Sequence, residues 1–165
     1  MKRHPSDQPA GTKVKSEADK PFEWTQGALE RSAFRYLQRF PASKAHFVRV
    51  MNRKIARSVA RGASHDRPYE RWLEHIVERC ERAGLLNDSA LAKGLAISVH
   101  RRGGSLRDIA QRLRRKGLAS EHIETAISEL HGDGEANPDL DAAITYARRR
   151  KLGPFGCHDL RQANY

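Results

Sequence analysis

Residues 100–117, HRRGGSLRDIAQRLRRKG, set two glycines and a serine in front of an arginine-laden stretch, and the reading of that passage decides the fold. Leu106, Ile109, Ala110 and Leu113 recur at helical spacing on one face, while Arg107, Gln111, Arg112, Arg114 and Arg115 occupy the remainder. Ser105 is the expected N-cap, with Asp108 three residues on as an imperfect capping box, and Gly117 is the expected stop. A Walker-type loop needs a lysine directly after its second glycine and a strand before the first, and neither is present. As a helix-turn-helix, the passage would make SEHIETAISEL (residues 120–130) the recognition helix, which carries three glutamates and no cation to face a DNA backbone. The passage therefore reads as a joint between two helices.

Working outward, apolar residues keep helical spacing from Phe22 onward and no stretch alternates with a period of two, so the fold class is all-α. A first helix spans about 23–40, with Leu29, Ala33, Tyr36, Leu37 and Phe40 inward. A second runs from the Ser43 cap to about Ala60, with Phe47, Val48, Met51 and Ile55 inward. A third, capped by Asp66 with Pro68 in its first turn, buries Trp72, Leu73, Ile76, Val77, Cys80 and Ala83 and stops at Gly84. The fourth starts at Asn87 or Asp88, carries Leu91, Leu95, Ile97 and Val99, and ends at Gly103-Gly104. After the Ser105 helix, a sixth puts Ile123, Ile127 and Leu130 inward. HGDGEA (131–136) is a linker, and a last helix runs from the Asn137-Pro138 start to about Leu152.

Three helices, three helices and a solitary one invite a test for internal repetition. A shift of 62 residues places Leu29 on Leu91, Ser43 on Ser105, Phe47 on Ile109, Met51 on Leu113, Arg53 on Arg115 and Lys54 on Lys116. The expected organisation is tandem three-helix repeats: a disordered tail over 1–21, a first repeat over 22–86, a second over 87–132 and a partial third over 137–165. Pro41-Ala42 stands in the first copy where Gly103-Gly104 stands in the second, so the shared feature is a helix break before a serine cap.

The 165 residues carry 31 Lys and Arg against 20 Asp and Glu, a formal net charge of +11 that favours an anionic partner. The excess is segregated. Gln26 to Arg61 holds nine cations and one acid, and Lys93 to Gly117 eight cations and one acid, whereas Ser120 to Asp141 has no lysine or arginine. First and second helices should form a basic surface able to bind phosphates through counterion release, or carboxylates through bidentate arginine. Cys80 and Cys157 are too far apart in sequence to suggest a zinc site or disulfide framework, which fits a reducing, cytoplasmic setting. No apolar run suggests a membrane span or signal peptide. No catalytic constellation emerges, so neither enzyme activity nor a cofactor is expected. His75 and Glu78 have metal-compatible spacing but no further ligand, and Cys80 and Trp72 read as core.

The segments ALERSAFRYLQRFPASKAHFVRVMNRK (28–54), ERAGLLNDSALAKGLAISVHRRGGSLRDIAQRLRRKGLASEHIETAISEL (81–130) and AAITYARRRKLGPFG (142–156) resemble the RecX family of regulators of the RecA recombinase. The Gly84–Asp88 turn, the Arg101–Gly103 joint and the Lys116-Gly117 helix end occur in the family's order. The resemblance implies an elongated, curved array that binds a RecA–DNA filament and restrains strand exchange, ATP hydrolysis and coprotease activity. Arg101, Arg102, Arg107, Arg112, Arg114, Arg115 and Lys116 would carry that contact, with weak, non-specific contact to DNA phosphates and the protein acting as a monomer. Arg49, Arg53 and Arg57 are added from the repeat and from charge. The alternative is a helical nucleic-acid-binding protein with no recombinase partner. The family's members usually complete a third unit, so the third repeat is expected to be incomplete and Phe155 to Tyr165 poorly packed.

Overall fold

The computed structural model describes residues 22–131 and 137–156, and among them every regular element is helical. The order is α1 Gln26–Arg39, α2 Lys44–Val59, α3 Tyr69–Arg82, α4 Asp88–His100, α5 Leu106–Arg115, α6 Ser120–His131 and α7 Pro138–Arg150, followed by a 3-10 turn over Gly153–Phe155. The tail over 1–21, most of the 131–136 linker and residues 157–165 lie outside the described residues, so the expectations made for them stay with the sequence.

Two separate cores organise the first six helices. In the first, Leu29 and Ala33 of α1, Phe47, Met51 and Ile55 of α2, and Leu73, Ile76, Val77 and Cys80 of α3 pack together. In the second, Ala92, Ala96 and Val99 of α4 meet Ile109 and Leu113 of α5 and Ile123 and Ala126 of α6. Alanines at three of those positions let α4 and α6 approach closely. Phe47 and Ile109, equivalent under the 62-residue shift, are both fully buried. Ser43 and Ser105 cap α2 and α5 alike, each hydroxyl accepting a backbone N–H three residues on at 3.2 Å. That bond satisfies a donor the helix leaves open, which stabilises each by about 1 kcal/mol.

The structure corrects several side-chain and cap assignments. Phe40 is exposed because α1 has ended at Arg39 and the chain turns extended there. Asp66 does not cap α3: Pro68 holds that place with no side-chain bond, while buried Tyr69 anchors the loop by donating its hydroxyl proton to the Ser64 carbonyl at 3.1 Å. Ala83 is exposed because it caps the C-terminus of α3, and Ile97 is exposed because the buried face of α4 runs through Ala92, Ala96 and Val99 with Leu91 and Leu95 at its edge. Trp72 is only half-buried, set edge-on against Tyr69. The last helix ends at Arg150 rather than Leu152, with Lys151 in the left-handed region at φ 54°.

The helix α7 sits on neither core. Only Pro138 and Ala142 of it are buried, and Leu140 and Tyr146 are exposed. Its seat is largely polar backbone: the Asp139 carboxylate accepts the Leu106 N–H at 2.8 Å, the Pro138 carbonyl lies 2.9 Å from His100 Nε2, and Arg149 Nη1 donates to the Arg102 carbonyl at 2.5 Å.

Candidate functional site

Ion pairing divides the cations into two populations. Lys44 pairs with Glu81 at 2.8 Å, Lys93 with Glu129 at 2.5 Å, Arg79 with Glu30 and Arg67 with Glu23. Lys54, counted with the basic surface on sequence, turns back onto α1: its Nζ donates to Ser32 Oγ at 2.8 Å and lies 5.9 Å from the Tyr36 ring centre. Burial, with Arg35 alongside, pulls its pKa below the usual lysine value. Such exposed pairs stabilise by only about 0–1 kcal/mol each, and three of them engage one carboxylate apiece on α1, α3 and α6.

The ten cations singled out from sequence are all exposed, and among the described residues none of them is in an ion pair. Arg102, Arg112, Arg115 and Lys116 gather around one recess of about 480 Å³, floored by Leu95 and Val99 and closed on the α2 side by His46. Arg49 and Arg53 of α2 lie near enough to His46 to act on it. Its pKa lies below the usual value, first through burial and then through the charges of Arg49, Lys116 and Arg53. Arg57, Arg101, Arg107 and Arg114 stand outside it.

The recess forms where α2 meets the α5–α6 corner. Ser43 Oγ donates to the Lys116 carbonyl at 2.5 Å while still capping its own helix. Gly117, at φ 78°, lets that corner close on α2; an added Cβ would lie 3.0 Å from Arg49 Nη2 and 3.4 Å from the Ala45 methyl. Lys44 N–H donates to Asp88 Oδ1 at 2.9 Å, so the first residue of α4 fastens the first residue of α2.

A second recess of about 490 Å³ shares Val99, Arg102 and Arg112 with the first and continues to α7, where Tyr146, Arg149 and Arg150 form its far wall. These three residues and His46 were not anticipated as site residues. The basic run over 148–150 is visible in sequence, but only the packing of α7 against the 103–104 joint shows which side of the molecule it faces.

Nothing in this geometry resembles a reaction centre. Cys80 is fully buried and burial pushes its thiol pKa up, which suits packing rather than nucleophilic attack. His75 and Glu78 are both exposed, and no cluster of three or more His, Cys, Asp or Glu side chains gathers among the described residues. No helix among them is long and apolar enough to cross a membrane.

Several known proteins are similar to this chain in sequence. The chain is 37% identical over 127 residues to a protein named Regulatory protein RecX from Myxococcus xanthus, a match covering 77% of this chain and 66% of that one. Proteins of the same name from Agrobacterium fabrum and Streptomyces coelicolor are 39% and 37% identical over 42% and 44% of the chain. The chain belongs to the RecX family. It spans just under two thirds of the Myxococcus RecX and between a third and two fifths of the other two. No protein-family model matches it, and no solved structure does. The RecX relatives are named as regulatory proteins and not as enzymes.

Proposed function

We propose that the chain regulates a RecA recombinase by lying against the RecA–DNA filament and restraining its ATPase, strand-exchange and coprotease activities. The observation that carries this reading is the sorting of charge. Carboxylates on α1, α3 and α6 neutralise cations facing them, while Arg102, Arg112, Arg115 and Lys116 converge on one trough with Arg49 and Arg53 near its His46 wall, and among the described residues none of the six is in an ion pair. A set of cations that folding leaves uncompensated repels itself, and an anionic partner relieves that repulsion. The RecX relatives support the regulatory role, and matched caps at Ser43 and Ser105 support tandem three-helix units; in this reading the protein acts as a monomer in the cytoplasm.

The test is a titration of the protein into RecA filaments on single-stranded DNA, read as ATP hydrolysis, beside a titration into the same DNA without RecA. Inhibition at concentrations well below those needed to bind DNA alone is the expected result. Equal potency in the two titrations would leave a helical nucleic-acid-binding protein with no recombinase partner.

A further inference from the structure

The second recess joins parts of the chain that are far apart in sequence, and it exists because of a close approach. Gly103 stands at φ 81°, and a Cβ added there would lie 2.7 Å from Tyr146 N and 2.9 Å from Ala142 O. Only a residue without a side chain lets the α4–α5 joint lie flush on the α7 backbone. That contact brings Arg149 and Arg150 into one recess with Arg102 and Arg112.

The lining is unbalanced in charge and more polar than apolar. Four guanidiniums share the recess with one carboxylate, that of Asp108 on the first turn of α5. Two of the four are held in place: Arg102 donates from Nε and Nη2 to the Ser98 carbonyl and hydroxyl, both at 2.9 Å, and Arg149 donates one N–H to the Arg102 carbonyl. A guanidinium has five N–H donors, so each keeps others for a ligand. Val99 and Tyr146 are the apolar side chains among its lining residues, so a protein partner finds little on which to seat the buried apolar anchor that protein interfaces depend on.

The Tyr146 ring is 46% exposed, with the Arg150 guanidinium 5.8 Å from its centre. A flat aromatic face beside arginines, in a trough that runs on into a second basic recess, matches what an unpaired base and its phosphate chain require. A duplex hides the faces of its bases from such a ring.

We infer that the cleft between α5 and α7 binds single-stranded nucleic acid, with Arg112, Arg149 and Arg150 holding the phosphodiester backbone and Tyr146 stacking on an unpaired base. This deepens the filament-regulator reading and rests on it for its biological setting, though not for its chemistry.

The experiment measures anisotropy of a labelled oligothymidylate with the full chain over a range of salt. The triple variant Arg112→Ala/Arg149→Ala/Arg150→Ala should lower the slope of log affinity against log salt by about 2, since each phosphate contact on a single strand contributes about 0.7. The double variant Arg112→Ala/Arg150→Ala keeps the Arg149 tie that seats α7 and should lower it by about 1.4. Tyr146→Leu should weaken binding roughly tenfold and erase the preference for oligothymidylate over a duplex. An unchanged slope in both arginine variants, an equal loss in an Arg31→Ala/Arg35→Ala control on α1, or a single-strand preference that survives Tyr146→Leu would each overturn the site.

Filament ATPase read on the same variants separates the two claims. Loss of oligonucleotide binding in the variants, with no effect of the unaltered protein on filaments, would remove the recombinase reading and leave the cleft. Intact oligonucleotide binding with lost filament inhibition would assign the cleft to an acidic protein face and overturn this inference.

Discussion

Two junctions in the molecule use the same fastening with different backing. At the first, Asp88 of α4 accepts the N–H of Lys44, the first residue of α2. At the second, Asp139 of α7 accepts the N–H of Leu106, the first residue of α5. Each carboxylate satisfies an open helix donor and sits at the positive end of a helix dipole. The first junction adds the Ser43–Lys116 bond, and each side of it is anchored in its own apolar core. The second has two further polar ties and the flush Gly103 contact, with only Pro138 and Ala142 buried on α7. A junction held by hydrogen bonds and one close approach opens locally, whereas one flanked by two cores opens only with wider unfolding.

Gly103→Ala should have the largest effect on this contrast. A left-handed alanine costs about 1–2 kcal/mol and its methyl would strike the backbone of α7. Hydrogen exchange should show α7 amides losing protection while α4 and α6 keep theirs. Gly117→Ala, at a similar φ, meets a movable Arg49 guanidinium instead and should cost only the backbone term of about 1–2 kcal/mol in denaturant unfolding.

Next come the carboxylates. Removing either acceptor should cost about 1 kcal/mol locally, but Asp139→Ala should release α7 to rapid exchange and Asp88→Ala should not release α4. Equal loss of protection at both would show that the junctions are backed alike. Ser43→Ala should destabilise more than Ser105→Ala by about 1 kcal/mol, because only Ser43 also donates to Lys116.

The smallest effect is one of pH. The pKa of His46 is lowered in the folded chain, so the unfolded chain takes up its proton first as pH falls below about 6.5. The share of stability tied to neutral His46 is full above that value and is lost as pH falls through the lowered folded value. His46→Gln should flatten that fall in a urea series between pH 7.5 and 5, taken as the ordinary range on either side of a histidine's titration. A polyanion held by Arg49, Arg53 and Lys116 offsets the charges that depress His46, so its binding should tighten as pH drops, and less so in the variant.

Much of the architecture was readable without coordinates. The seven helices among the described residues, the caps at Ser43, Ser105 and Asn137, and the buried Phe47, Ile76, Ile109 and Leu113 follow from spacing and cap chemistry, which act within a few residues of chain, and of the two caps open for α4 the structure uses Asn87. The misses share a cause. Phe40, Asp66 and Ile97 were placed by local rules, and each was overruled by where the neighbouring element turns or packs. For the basic surface, sequence supplied the right residue types but too many of them, since the Lys44, Lys54 and Lys93 side chains are engaged by partners 22 to 37 positions away.

By itself, then, the sequence determined an all-helical chain with a one-sided excess of arginine and a resemblance to RecX. The tertiary structure decided which of those charges are paired among the described residues, that Arg102 and Arg112 line both of two joined recesses, and that α7 brings Tyr146, Arg149 and Arg150 to the same trough. The reason is physical: helix periodicity is set by bonds four residues long, but a charge is neutralised or left open by whatever side chain folding brings within a few ångströms.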